Sequence, residues 1–471
     1  MYTRLRCSRR QFLGVAGLAC GASLLAGCAA QQRTPRPSAE AGLHTIGGTP
    51  PGAGLVSAQQ PPVGRVVIWG WPAADVAYES FLPDFRKAHP EIEPDIIMMP
   101  YADQNLKLLA CLAAGTGAPD VAMIPIGEIG KFVFTGGLED LLREPYEAGK
   151  YKAQFVDYKW RQATTPDGRL VALPWDIGPA TFFYRRDLFD EAGLPSEPEQ
   201  VTQLVKDWRG FVEVCERLTD PAKQRWAIDS ALAVVSTRFV ECNFFDKDWN
   251  LVIEGEIANR LLDVAKELRS KGCDSQGAGG EWQIMLQRGT FAMFWSGCWA
   301  GGFLKTFLKP ADYDWSGLWG VFEVPENPGA NFGGSFLTIP EQSQNKLAAW
   351  TFVEYALATA EAQNKMFKAV DYMPAYKPAF EDPLYHEGDP FFGGQKTKEL
   401  WIDIAVNKIG LSFISTPMDA EVGQLFNSYA QQIVDQGLDI EETLAKAREE
   451  IESAIAASKS RAIAMKELAT K

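Results

Sequence analysis

Between Arg65 and Glu128 the chain repeats one pattern, a short β-rich apolar run followed by an amphipathic run of helical period. "RVVIWGW" reads as a strand ending in an aromatic loop, and "ADVAYESFLPDFRKAHP" as a helix stopped at Pro90. "IEPDIIMMPY" is the next strand, "NLKLLACLAAG" a helix ending at Gly115, and "APDVAMIPIG" a buried strand introduced by a turn. This alternation predicts an α/β fold with a mostly parallel sheet, because parallel strands need a crossover and a helix supplies it. Ligands of such sheets gather at the carboxyl ends of the strands. The loops at 69–71, 101–103 and 125–128 are therefore candidate pocket walls. They make Trp71, Tyr101 and Asp103 candidate ligand residues, with Asp75 just beyond the first loop.

Residues 1–62 are read as targeting and tether. "SRRQFLG" carries Arg9 and Arg10 ahead of the apolar run "VAGLACGASLLAG", the layout of a twin-arginine export signal. That run is too short and too rich in Gly and Ala for a membrane span of ~20 residues. It ends in "LAGC", which resembles a lipobox, with Cys28 as the acylated residue and residues 1–27 removed. The stretch 28–62 is rich in Pro, Gly, Ala and Gln, a composition unable to bury enough surface to offset ordering entropy. It predicts a flexible lipidated spacer and a protein hung from a membrane outside the cytoplasm. The folded part begins near Arg65 and runs about 400 residues, enough for two lobes of ordinary domain size.

Charge and cysteine usage exclude several classes. Removing four arginines with residues 1–27 moves the formal charge from -14 to -18, a field unsuited to nucleic acid. Cys111, Cys215, Cys242, Cys273 and Cys298 remain after Cys28, with no CxxC pair among them, so redox and metal roles are not indicated. Spacing is compatible with a Cys215–Cys242 or a Cys242–Cys273 bridge. The chain has three His: His44 in the spacer, His89 at a helix end, and His386. Neither a Ser-His-Asp site nor a zinc site can readily be assembled from them, and no GxSxG or P-loop is present. "DKDWN" at 246–250 imitates half an EF-hand, but Leu251 stands where Gly is required, and a hairpin turn is the simpler reading. A binding protein without cofactor or metal is expected, not an enzyme.

The stretch "TFAMFWSGCWAGG" (290–302) sets large rings beside residues with little side chain. Phe291, Met293 and Phe294 follow strand alternation and are assigned to the core. For the rest, core packing against a tight turn is the plain reading; in the alternative, a ligand pocket, Trp295, Gly297 and Trp299 are the candidate ligand residues, since a Trp face can stack on a ligand and glycine lets backbone approach. Trp315 and Trp319 in "DYDWSGLWG" fit surface and core equally.

Six segments, "F.KAHPEI", "AAGTGAPDV", "LVALPWDIGPATFFYRRDLFDEAGL", "FAMFWSGCW", "NFGGSFLTIP" and "AAWTFVEYALATAEAQNKM", occur in order and in register from about Arg65 to the end. In this the chain resembles the family 1 extracellular solute-binding proteins of ABC transporters, many of which bind sugars. Arg185 stands where that family commonly has Asn, and "SEPEQVTQLVKDW" is longer than the usual segment; both departures bear on ligand class. The resemblance implies a type II periplasmic-binding-protein fold, two α/β lobes with a hinge and an interlobe ligand cleft. It also implies a monomer that delivers a small solute, a sugar or oligosaccharide, to the permease subunits of an ABC importer.

Three extended segments stiffened by proline or freed by glycine, "PWDIGPATFFY", "NFGGSFLTIP" and "DYMPAYKPAF", are assigned as the hinge. They divide the chain into lobe 1, 63–176 plus 335–371, and lobe 2, 177–334 plus 372–471. The hinge adds Trp175, Asp176, Gly333, Gly334, Ser335 and Tyr372 to the candidate ligand residues. Asp75, Asp103, Glu128 and Asp176 equally suit a polyamine or other cation, and a ligand-sensing lipoprotein would need the same fold.

The N-terminal reading generates a direct test. Arg9→Lys with Arg10→Lys is expected to block translocation, and Cys28→Ser to release the protein from the membrane with its fold intact. Fractionation and acyl-group mass spectrometry read both, and a Cys28→Ser protein that is still acylated and membrane-bound contradicts the lipid assignment.

Overall fold

The computed structural model describes residues 63–239, 244–246, 248–276, 281–308, 310, 313–326, 329–410 and 415–469. The export signal, Cys28, the spacer and Cys242 lie outside the described residues. The chain enters at β1 (Gly64–Gly70) and continues through α1 (Ala74–Ala88), β2 (Ile92–Met98), α2 (Tyr101–Ala114), β3 (Val121–Pro125) and α3 (Ile126–Thr135). β1 lies between β2 and β3 and parallel to both. Strand addition therefore reverses direction at β1, which opens a crevice at the carboxyl ends of β1 and β3. α1 forms because Ala74, Ala77, Tyr78, Phe81, Leu82 and Phe85 recur at helical spacing and all are buried, while Pro83 falls on the exposed face. α2 ends on Gly115 in the left-handed region, as a glycine just past a helix commonly does.

After the short β4 (Leu173–Pro174) the chain leaves this sheet and enters a second one at β5 (Ala180–Arg185). α4 (Trp208–Leu218), β6 (Trp226–Ile228), α5 (Glu256–Ser270), α6 (Trp282–Arg288), β7 (Phe291–Gly297) and β8 (Trp319–Glu323) follow, and the strand order is β6-β7-β5-β8. Every residue of β7 is buried, so both faces of this sheet are covered and strict alternation is not what hides Phe291, Met293 and Phe294. Trp315 and Trp319 are core residues on the same sheet, 1% and 0% exposed.

The chain then returns. β9 (Ser335–Thr338) inserts antiparallel between β3 and β4, giving the first sheet the order β2-β1-β3-β9-β4. α7 (Lys346–Leu357) and α8 (Ala360–Val370) pack on α1, and α9 (Asp419–Gln436) and α10 (Ile440–Ala469) pack on each other and on α5. The molecule is thus two α/β domains.

Register fixes how the two sheets face each other. The passages leave the first sheet beside the carboxyl end of β3, since Pro125 pairs with Ser335 and Pro174 with Phe336. They enter the second at the carboxyl end of β7, since Ala180 pairs with Gly297 and Thr181 with Glu323. The ligand-prone strand ends of both sheets therefore point toward the connecting segments. A third connection runs alongside the first: Ile177 N–H donates to Met373 O at 2.8 Å and Ala375 N–H to Trp175 O at 2.9 Å. Lys305 holds the start of that third connection, binding Asp371 and, at 2.7 Å, Asp389. The segment "DYMPAYKPAF" is extended only in its first part, because Pro378 opens a 3-10 helix over Lys377–Glu381.

Candidate functional site

The first wall is built from strand-end residues of the first sheet. Trp71 follows β1 directly, and its ring meets Tyr101, the first residue of α2, edge-on at 5.2 Å. Both are half-buried. Asp75 sits half-buried in the first turn of α1, where its carboxylate accepts the Ala73 N–H at 3.1 Å. Asp103 lies in the first turn of α2 and is exposed. Glu128 is engaged by Lys131 at 2.7 Å.

Beneath those residues the connecting segments form a closed layer. The structure places Trp175 under the wall, not on it: it is 0% exposed, stacked on Tyr78 at 5.3 Å and 20°, with Tyr372 edge-on at 5.9 Å. Asp176 is buried as well, accepting the Ser335 N–H at 2.7 Å and the Ser335 hydroxyl. Burial pushes its carboxyl upward, against Lys159 and the two Ser335 bonds. Lys159 is itself buried, with Nζ 3.7 Å from the centre of the Phe336 ring. Tyr372 is half-buried and its hydroxyl is pushed up by desolvation and then by Asp176 and Asp75, so those two carboxylates and this phenol share one neighbourhood. Gly334 is required there: a Cβ would fall 2.6 Å from Lys159 Nζ and 2.7 Å from Asp176 O.

The second wall comes from the end of β7. Phe332 lies between two tryptophans, stacked on Trp295 at 4.9 Å and edge-on to Trp299 at 5.8 Å. The Trp299 indole N–H donates to Phe332 O at 2.9 Å, and one side of its ring lies against Gly297 and Gly333. The close approach that Gly297 allows is thus made by protein, since a Cβ there would meet Phe332 O at 1.9 Å; the expected approach of ligand to this backbone is replaced by that contact. Trp299 remains half-buried. Trp295 is 8% exposed, and its indole N–H has no acceptor among the described residues.

Sequence reasoning missed Phe332, Lys159 and Tyr78, whose roles come from contacts across long stretches of chain. The departure at Arg185 proves to concern packing: it lies at the far end of β5, pairs with Asp187 through two bonds of 2.7 and 2.6 Å, and stands near the Trp315 and Trp319 rings. Phe245 and Leu251 form an antiparallel bridge on either side of "DKDWN", as a hairpin turn there requires. His89 caps α1 and His386 bonds Glu399 and Phe380 O.

Comparisons with known proteins agree with this architecture. A family described as bacterial extracellular solute-binding protein matches residues 81–391. The chain belongs to that family. Its members are substrate-binding proteins that work outside the cytoplasm. The arabinooligosaccharide-binding protein of Halalkalibacterium halodurans is 25% identical over 377 residues, covering 75% of this chain and 80% of the relative. The lactose-binding protein of Rhizobium radiobacter is 24% identical over 382 residues, covering 76% of this chain and 86% of the relative. A crystal structure of an extracellular solute-binding protein of family 1 superposes with a TM-score of 0.71 at 25% identity, covering 83% of this chain and all (100%) of that one. A binding protein from B. animalis subsp. lactis, in complex with β-1,6-galactobiose, superposes with a TM-score of 0.67 at 21% identity, covering 85% of this chain and 98% of that one.

One buried carboxyl near the second wall gives a pH signature. Asp229 follows β6 at the same end of the sheet as Gly297, accepting the Trp282 indole N–H at 2.8 Å and the Ser230 N–H at 2.9 Å. Burial pushes it up to about 6, against those two bonds. The unfolded value is about 3.9, so the folded state holds the proton where the unfolded chain has lost it. Its stabilising contribution is full below about pH 4 and is lost as pH rises through about 6. Asp229→Asn removes this titration, and denaturant unfolding from pH 4 to 7.5 should lose about 2–3 kcal/mol less stability than the parent over that range. Parallel curves for the two proteins would contradict the assignment.

Proposed function

We propose that this chain captures a neutral saccharide between the facing strand ends of its two domains and delivers it to an ABC importer. The reading is supported by half-buried rings at the facing strand ends, Trp71 against Tyr101 and Tyr372 in the field of Asp75 on one side, and Trp299 just past β7 on the other. Rings of this kind pack on the C–H faces of a sugar, and Asp75 can accept its hydroxyls. Relatives named for arabinooligosaccharide and lactose binding support a saccharide over a polyamine. Asp103, Trp175, Asp176, Gly297, Gly333, Gly334 and Ser335 belong to this site as its rim, floor and frame. The chain is a binding protein and not an enzyme.

In this reading lobe 1 comprises 63–176 plus 335–371 and lobe 2 comprises 177–334 plus 372–471, closing by bends at 174–180, 333–337 and 372–378. Arg9 and Arg10 direct export, and Cys28 anchors a monomer to the membrane beside its permease subunits.

Calorimetric titration with arabinooligosaccharides, lactose and β-1,6-galactobiose, with spermidine as the contrasting cation, tests the ligand class. Heat from spermidine and none from any saccharide overturns it. Against the best saccharide, Trp299→Ala should cost about 2 kcal/mol, or about 30-fold in affinity, with little change in melting temperature. Phe294→Ala should do the reverse, losing ~3–5 kcal/mol of stability, because its ring is buried and stacked on Phe183 at 5.1 Å. A Trp299→Ala protein that unfolds in the absence of ligand would make Trp299 a core residue.

A further inference from the structure

We propose that the far half of α3 and Trp249 form a latch between the two lobes that sets how readily the cleft closes. This rests on the two-lobe reading above. Trp249, Phe134 and Gly130 are positioning residues in it, acting on affinity without touching ligand.

α3 belongs to the first sheet, running straight on from β3, and its first amide, Ile126 N–H, donates to Gly334 O at 3.0 Å. Its start is therefore tied to the floor of the cleft. Further along, α3 packs against α9 and makes two close contacts with the other side of the molecule. Gly130 has no room for a side chain, since a Cβ would fall 2.2 Å from Thr416 O and 2.7 Å from Thr416 C. Thr416 leads into α9, which packs on α5 above the second sheet. Near the helix end, Phe134 meets the Trp249 ring edge-on at 5.3 Å and 74°.

Trp249 is displayed at a cost. Its φ is 64, in the left-handed region that a bulky side chain avoids. The surrounding turn enforces it: the Asp246 carboxylate accepts the N–H groups of Asp248 and Asn250 at 2.9 Å each and the Asn250 side-chain amide at 3.0 Å, and Trp249 N–H donates to Asp246 O at 3.0 Å. A turn that could hold Asn or Gly at this position instead projects an indole, 4% exposed, against a helix of the other lobe. Parting the lobes would break the Phe134–Trp249 and Gly130–Thr416 contacts together. Because apparent affinity scales with the fraction of molecules already competent to close, these contacts feed directly into ligand binding.

The test uses the full chain without ligand, so its outcome is separate from the question of which saccharide is bound. Small-angle scattering and thermal unfolding are measured on the parent, Trp249→Ala, Trp249→Phe and Gly130→Ala. Trp249→Ala should shift the closed-to-open ratio toward open by roughly ten-fold, seen as a larger radius of gyration of a protein that is still folded, with a lowered melting temperature because the ring is buried. Trp249→Phe keeps a ring and should restore compaction. Gly130→Ala favours the helix itself yet cannot seat against Thr416, so it should open the lobes without loosening α3. Parent-like scattering from both Trp249→Ala and Gly130→Ala overturns the latch. So does loss of the fold in both, which would make these contacts part of one rigid core.

Discussion

Two glycines in contact hold this architecture together. A Cβ on Gly178 would lie 2.4 Å from the carbonyl carbon of Gly333, so the first two connections between the sheets run backbone against backbone. Gly333 and Gly334 both take positive φ, 119 and 100, values that other residues resist. The Trp299 ring covers this junction, and Phe332 is bonded on both sides of it, donating its N–H to Gly178 O at 2.7 Å and accepting the Trp299 indole. The residues at the facing strand ends are positioned from here. Moving the connections apart would displace Trp299 and Trp295 on one side, and Ser335 with its partner Asp176 on the other.

The polar layer beneath the cleft follows from the same constraint. The connections are close-set and their polar groups buried, and a buried polar group is costly unless it is hydrogen-bonded. Asp176 takes both donors of Ser335 and lies in the field of Lys159, whose ammonium rests on Phe336. Such a buried arrangement favours one geometry more than it adds stability, since removing either charge leaves the other desolvated. Asp176 is thus a buried framework residue, whereas Asp75 is half-buried.

Much of the frame was legible in the sequence because it is local. Hydrophobic period marked α1, α2 and the strands, Gly115 marked a helix end, and the order of elements placed Trp71 and Tyr101 at strand ends. Motifs in register announced the family. Other features depend on contacts between residues far apart in the chain. Nothing near Trp175 signals that Tyr78 and Tyr372 enclose it, and nothing near Gly297 signals that Phe332 fills the space it leaves. The "DKDWN" turn was readable as a turn, whereas the partner of its tryptophan, Phe134, lies more than a hundred residues away. Arg185 looked like a clue to ligand class until the two rings beside it came into view.

Hydrogen exchange measured by mass spectrometry, with and without the saturating saccharide that binds best, tests the central claim most directly. Ligand held between the two sheets should slow exchange in both walls at once, at 70–76 and 101–105 in the first domain and at 295–303 and 332–335 beside the second. Protection confined to one domain, or appearing instead in the charged groove that Trp208, Glu216, Arg260 and Lys271 line between α4 and α5, would contradict a cleft at the facing strand ends.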